Sequence, residues 1–202
     1  MNACEFHKLV SSAPHPVILL EGTRSLPAGR KTSAVIHFAE WLARRYPHAV
    51  FRTGNAKGAD DAFAQGVKRV DPSRLQYVLP YSGHRAAEIV SVSLTLSMDE
   101  LGIGLTRKIV EQTIAASPKA ASFFDRDEAA QPPKIRAQAK YLLRDTLKVI
   151  GNKTLGPATA GLFYVNTLDP MKGGTGHTIR VCDCFSVPVA FQSEWLTWSE
   201  KY

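Results

Sequence analysis

The sequence has few cysteines, and none of its apolar runs is long enough to span a membrane. Its three cysteines, Cys4, Cys182 and Cys184, are odd in number and lack partners at zinc-ligand spacing. Neither a disulfide framework nor a metal site is therefore expected. No apolar run approaches the roughly 20 residues of a membrane helix, and residues 1–8 lack a basic segment followed by a long apolar core. We expect a cytoplasmic protein with no membrane partner.

Several catalytic and nucleotide-binding motifs are also absent. The chain has neither a Gly-x-Ser-x-Gly nor a His-Glu-x-x-His sequence, so nothing in it indicates nucleophilic or zinc-dependent hydrolysis. It has no Walker A loop and no complete Gly-x-Gly-x-x-Gly loop. The six histidines are scattered and form no catalytic pair by spacing.

What the chain does have is an ample core and an excess of positive charge. Its 202 residues suit one domain, and 45% of them are hydrophobic. The 25 basic and 18 acidic residues give a net charge of +7, which favours an anionic partner.

Apolar periodicity predicts alternating strands and helices in the first part of the chain. Strands are expected at 17–20, 49–51 and 75–79, with helices at 32–45 and 58–70 between them. Short connections in this order are typical of a parallel sheet covered by helices.

The remainder is predicted to add a mostly helical elaboration at about 81–153 before the sheet resumes. Helices are expected at 86–98, 106–116 and 135–150, whereas 122–128 has no clean period. A strand at 161–165, a helix at 174–185 and a strand at 187–191 follow. The prediction is one α/β domain over 1–202.

Three polar, glycine-bearing loops follow apolar runs, at 22–25, 53–60 and 173–178. The carboxyl ends of parallel strands share one edge, and a helix that starts there exposes unpaired N–H groups that bind anions. Glycine lets the backbone approach such an anion closely. The predicted ligand or phosphate-binding residues are Gly22, Thr23, Arg24, Ser25, Gly54, Asn55, Lys57, Gly58, Asp60, Gly173, Gly174, Thr175, Gly176, His177 and Thr178.

These residues divide into two predicted roles. Arg24, Lys57 and the backbone of 173–178 would hold phosphate, since a guanidinium or ammonium pairs with phosphate oxygens. Asn55, Asp60 and Thr175 would contact a sugar or position the loops. For Asp60 both interpretations remain open, because a carboxylate also caps the first turn of a helix.

The helix predicted at 135–150 carries a second candidate surface. Arg136, Lys140, Arg144 and Lys148 step by four and would form one basic stripe. A nucleic acid would relieve the repulsion between these charges, and a solvated helix face is the alternative interpretation.

Together, Gly22-Thr23-Arg24-Ser25, Gly58-Ala59-Asp60 and Gly173-Gly174-Thr175-Gly176-His177-Thr178-Ile179-Arg180 resemble the SLOG superfamily. That group includes DNA-processing protein A, the Lonely Guy phosphoribohydrolases and stand-alone nucleotide-sensing domains. The resemblance covers about 17–79 and 161–191. It implies a Rossmann-like, doubly wound sheet and a nucleotide or nucleic-acid phosphate in its crevice.

The chain departs from the phosphoribohydrolase branch at one point. That branch has a glutamate soon after its glycine loop, whereas here Arg180 follows and no glutamate appears before Glu194. A cation beside a developing oxocarbenium ion is repulsive, so the sequence favours binding over catalysis, with no cofactor other than a nucleotide ligand.

Three hypotheses therefore stand. The first is binding of a nucleotide or another phosphorylated small molecule. The second is binding of single-stranded DNA or RNA, and the third is a nucleoside-monophosphate phosphoribohydrolase with Asp60, Asp61 or Glu88 as its carboxylate. Homo-oligomers through the outer helices are compatible with each hypothesis.

Overall fold

A single parallel sheet organises the molecule, for which a computed structural model describes residues 1–124 and 131–201. The strands are β1 (Val17–Gly22), β2 (Val50–Thr53), β3 (Leu75–Leu79), β4 (Leu94–Ser97), β5 (Ala160–Tyr164) and β6 (Val189–Phe191). They lie in the order β4-β3-β2-β1-β5-β6, and every neighbouring pair is parallel. The predicted Rossmann-like, doubly wound α/β fold is confirmed.

Helices cover both faces of the sheet. They are α1 (Ala3–Ser12), α2 (Arg30–Arg45), α3 (Ala59–Lys68), α4 (Ile103–Ala116), α5 (Pro133–Ile150), α6 (Gly173–Cys184), α7 (Gln192–Trp195) and α8 (Trp198–Lys201). Within the described ranges, no helix combines the length and apolar character that crossing a bilayer requires.

The central strand β1 separates two apolar layers. Because successive strand side chains point to opposite faces, Ile18 and Leu20 pack with α1, α2, α3, α7 and α8, whereas Leu19 packs with the α6 side. All six residues of β1 are buried. This is the expected environment of a central strand in a sheet covered on both faces.

Arg52, a buried arginine on β2, holds the end of α5 against the sheet. Its guanidinium donates to the carbonyl oxygens of Lys148 at 2.7 Å and Gly156 at 2.8 Å, and to Gln76 Oε1. Burial lowers the pKa of Arg52 to about 10. The bond to Lys148 O satisfies a carbonyl group in the last turn of α5, and the bond to Gly156 O holds the loop that follows this helix.

Two elements differ from the sequence prediction. The helix predicted at 86–98 is wrong, since this region contains a short 3-10 turn at 86–88 and then β4, which pairs with β3. The region at about 81–153 therefore extends the sheet as well as adding helices. Helix α1 was not predicted, and the aperiodic stretch at 122–128 lies partly outside the described residues.

Candidate functional site

The three predicted loops meet at the carboxyl edge of the sheet. The chain runs outward from β1 through β2, β3 and β4, and then returns to place β5 on the other side of β1. Ligands of open α/β sheets bind in the crevice at such a reversal. Here the crevice is bordered by the loop after β1, the loop after β2 and the start of α6.

Asp60, in the first turn of α3, joins the loops after β1 and β2. Its Oδ1 accepts from the Gly22 amide at 3.1 Å, and its Oδ2 accepts from the Thr53 hydroxyl at 3.0 Å and the Gly54 amide at 3.2 Å. The side chain is buried, and a further bond comes from the Ala56 amide at 3.4 Å. Asp60 therefore braces the loops, which favours the second of its two interpretations.

Hydrogen bonds and close contacts with the backbone hold all three loops next to one another. The Thr23 amide donates to Tyr164 O of β5 at 2.8 Å, and Thr175 Oγ1 donates to Gly22 O at 3.0 Å. Gly58, with a φ of 86°, lies directly against the carbonyl groups of Thr23 and Arg24, where a Cβ atom would collide with them. The convergence of the loops thus depends on this position being glycine.

The first turn of α6 opens into this crevice. Gly173 has a φ of 65°, and the preceding Lys172 provides no side-chain cap. Within the described chain, the amides of Gly173, Gly174 and Thr175 donate to no protein acceptor, whereas the next amide, of Gly176, bonds Lys172 O at 3.2 Å. Gly173 and Gly174 are exposed. These three N–H groups are available to an anion.

A buried ion-pair cluster from α5 and β1 lies beneath this opening. Lys148 Nζ lies 2.6 Å from Glu21 Oε1 and 2.7 Å from Asp145 Oδ1. Arg144 donates to Gly54 O at 2.6 Å, and its Nε lies 2.9 Å from Asp145 Oδ1. The four charged side chains are each at least nine-tenths buried. These side chains, rather than water, bond the surrounding protein groups, as Arg144 does with Gly54 O.

The cluster shifts the pKa values of its acids in opposite directions. Burial raises the pKa of Glu21 to about 7, although Lys148 opposes the rise. Burial likewise raises the pKa of Asp60. For Asp145 burial acts in the same direction, but Arg144 and Lys148 outweigh it and hold the pKa of that carboxyl below its usual value.

The side chains of five predicted ligand residues are hydrogen-bonded to other groups of the protein. Asn55 donates to the carbonyl groups of His84 and Arg85, His177 bonds Ser117 and Thr146, and Thr178 donates to Glu21. With Asp60 and Thr175, described above, these side chains position loops, so the prediction that they reach a ligand is not supported by the geometry. Gly22, Gly54 and Gly176 are also buried. The predicted residues that remain exposed are Arg24, Ser25, Lys57, Gly173 and Gly174, with Thr23, Gly58 and Thr175 half-buried.

The predicted basic stripe is divided by the fold. Arg144 is 6% and Lys148 1% exposed, and both belong to the buried cluster. Only Arg136 and Lys140 reach the surface, and Lys140 pairs with Asp99 at 2.7 Å. The prediction of a continuous surface stripe of four cations for nucleic acid is therefore wrong, because the inner half of the helix packs on the sheet.

The carboxylates named for a phosphoribohydrolase are also engaged. Asp60 holds the loops, and Asp61 accepts a bidentate pair of bonds from Arg85 at 2.8 Å. Glu88 is exposed and lies 3.8 Å from Arg85. Sequence analysis missed Glu21 and Asp145 as the acids beneath the crevice, because only the paired strands and α5 bring them together. In the described part of the chain, no cluster of metal-ligating side chains is present.

An aromatic rim continues from the crevice along α5. The ring of His84 packs edge-on against those of Tyr81 at 5.0 Å and Tyr141 at 5.9 Å. Burial and the neighbouring Tyr81 raise the pKa of Tyr141, while the charges of Arg144 and Arg24 oppose the rise. Burial, Arg144 and Arg85 lower the pKa of His84.

The structure defines the class of the protein as an open, doubly wound parallel α/β sheet with a glycine-bearing loop at its point of reversal. No family model matches the chain, and no curated protein or solved structure matches it. Membership of the SLOG superfamily remains a prediction.

Proposed function

We propose that this protein binds a nucleotide or a related phosphorylated small molecule at the carboxyl edge of its sheet. The phosphate would lie on the free amides of Gly173, Gly174 and Thr175, and Arg24 would supply a positive charge from the facing loop. Lys57 would add charge from the loop after β2. The proposal assigns binding and no reaction.

The observation that carries the proposal is the unbonded first turn of α6 at the point where the strand order reverses. A helix of 12 residues presents partial positive charge there. The exposed Arg24 lies on the loop that is bonded to β5 and packed against Gly58. Both the dipole and the nearby cation favour a phosphate over a neutral ligand.

The buried cluster supplies no net positive charge to an anion. Arg144 and Lys148 offset the carboxylates of Asp60 and Asp145, and Glu21, whose pKa is about 7, adds a partial negative charge near neutral pH. Asp145 Oδ2 also lies close to Gly174 at the first turn of α6. Selectivity for an anion therefore depends on Arg24, Lys57 and the α6 amides.

Isothermal titration calorimetry against nucleoside 5′-monophosphates tests this proposal. We expect Arg24→Glu to weaken binding by about tenfold or more, since a charge-assisted contact becomes a repulsion. Lys8→Glu is the matched control, because Lys8 is exposed on α1 over the opposite face and the change in net charge is identical. Absence of binding by the folded wild type, or equal weakening by both variants, would contradict the proposal.

A further inference from the structure

A second basic groove adjoins the aromatic rim. It has a volume of about 340 Å³ and is lined by Tyr81, Arg136, Ala137 and Lys140. Tyr81 comes from the segment after β3, and the other three residues lie on the first half of α5. The groove therefore opens at the same carboxyl edge as the proposed phosphate site.

In the part of the chain that the structure describes, the positive charge of the groove is only partly neutralised. The side chain of Arg136 forms no hydrogen bond or ion pair with any residue in the described ranges. Lys140 pairs with Asp99, but both side chains are about one-third exposed, at 35% and 36%. Such pairs are weak, so Lys140 remains able to contact a second anion.

The position of the groove along α5 sets its distance from the first site. A helix rises about 1.5 Å per residue, so Lys140 lies about 6 Å and Arg136 about 12 Å along the axis from Arg144 at the crevice floor. Tyr141 lies between Lys140 and Arg144 in the sequence of α5, and its ring is 5.9 Å from that of His84 in the aromatic rim. A ligand would thus cross the aromatic rim between two positively charged positions.

We infer that the groove is a second phosphate subsite of the same crevice, an inference that rests on the proposed function. The ligand class is a nucleoside with phosphate groups on both sides of its ribose, as in a nucleoside 3′,5′-bisphosphate. One phosphate occupies the α6 amides and Arg24, and the other occupies Arg136 and Lys140. The rings of Tyr81, His84 and Tyr141 lie between them, where a base can stack.

The test compares two ligands that share one base. Calorimetry with nucleoside 5′-monophosphates and 3′,5′-bisphosphates should show the bisphosphate binding about tenfold more tightly. Arg136→Glu should remove that difference while changing monophosphate affinity by about twofold or less. Lys8→Glu, with the same charge change, should preserve the difference, and the nucleoside 5′-diphosphate controls for ligand charge.

The possible failures are distinguishable. If no nucleotide binds the wild type, the proposed function is overturned and the second subsite with it. If the monophosphate binds and Arg24→Glu weakens it, but the bisphosphate gains nothing or its gain survives Arg136→Glu, only the second subsite is overturned. A diphosphate that binds as tightly as the bisphosphate likewise overturns it.

A nucleic-acid strand also carries a phosphate on each side of its ribose, so a short single-stranded oligonucleotide is a further ligand for this test. Each phosphate contact on a single strand contributes about −0.7 to the slope of log affinity against log salt. Two subsites predict a slope of about −1.4 for the strand if it uses only these contacts. A strand slope of about −0.7 would show that the second position is unused and would overturn the inference.

Discussion

At the scale of single residues, the site is built by buried acids that hold loops together. Asp60 accepts four hydrogen bonds from two loops, and Glu21 and Asp145 share the Lys148 ammonium group. The sequence indicated that Asp60 mattered, because it follows a glycine at a helix start. It could not identify the groups that donate to Asp60, since they are 4 to 38 residues distant.

Replacing Asp60 with asparagine should destabilise the fold. The amide group presents a donor where the carboxylate accepts, so at least one buried amide loses its partner, at a cost of about 1–3 kcal/mol. Urea unfolding measures the change. Asp61→Asn is the matched control, since its half-buried pair with Arg85 should contribute about 1 kcal/mol or less. Equal effects of both substitutions would contradict the role assigned to Asp60.

Glu21 should make stability depend on pH. Its pKa is raised from 4.5 to about 7 in the folded state, so the native protein binds this proton more tightly than the unfolded chain does. The resulting stabilisation is complete below about pH 4.5 and is lost as the pH rises through 7. The stability advantage of wild type over Glu21→Gln should fall by about 2–3 kcal/mol between pH 5 and pH 8.

Unfolding both proteins in urea at a series of pH values gives this difference directly. Other titrating groups are common to both chains, so they cancel in the comparison. A constant difference across the range would mean that Glu21 is ionised throughout in the folded state.

At the scale of elements, sequence patterns predicted the long helices and all of the strands except the edge strand β4. Helices α2, α3, α5 and α6 and strands β1, β2, β3 and β5 lie within a few residues of their predicted positions. The residues of β4 fall within the helix that the sequence analysis predicted at 86–98. The alternation of Val92, Leu94 and Leu96 with serine and threonine is the strand pattern that fits the structure. Its edge position leaves Leu94 exposed, which weakens that pattern.

The basic face of α5 shows why helical spacing alone is insufficient. Residues four apart share a face only approximately over the roughly three turns from Arg136 to Lys148, because 3.6 residues make a turn. The stripe consequently turns from solvent at Arg136 to the interior at Lys148. Nothing in the sequence states how far along the helix the sheet begins to cover that face.

Charge reversal at the two ends of this face should therefore have different effects. Arg144→Glu removes a buried cation beside Asp145 and should cost about 3–5 kcal/mol of unfolding free energy or prevent folding. Arg136→Glu, at the half-buried end, should change stability by about 0.5 kcal/mol or less. Thermal or urea unfolding makes the comparison, and similar stability of the two variants would contradict the buried placement of Arg144.

The contact of α5 with the loop after β2 also constrains a glycine. A Cβ atom on Gly54 would collide with the Arg144 guanidinium, so Gly54→Ala should cost about 1–3 kcal/mol. Gly104 in α4 faces open space, and Gly104→Ala should instead stabilise by about 0.5–1 kcal/mol. If unfolding curves show that both variants are more stable than wild type, or that both are less stable, this packing is ruled out.

At the scale of the whole molecule, the sequence predicted the convergence of the loops but not what fills the space between them. Alternating strands and helices imply that all carboxyl ends share one edge, and the three loops do meet there. The ion-pair cluster beneath them requires α5, which follows β2 by about 80 residues and arrives through a connection that the sequence pattern did not resolve. That cluster occupies the floor and leaves only the outer residues of each loop for a ligand.

The net charge of +7 acts on this arrangement as a whole. It increases the encounter rate of any anion and is screened by salt. Specific placement, by contrast, depends on the short-range geometry of Arg24 and the first turn of α6. Mapping which amides respond to a ligand therefore distinguishes the general effect of net charge from binding at the specific site.

The most direct measurement is amide chemical-shift mapping by NMR during titration with a nucleoside 5′-monophosphate. The account predicts saturable shifts at the amides of Gly173, Gly174 and Thr175, and smaller shifts in the loop that carries Arg24. Shifts confined to the separate cavity of about 440 Å³ between α6 and β6, around Asp183 and Val189, would contradict it. So would an unchanged spectrum at millimolar nucleotide.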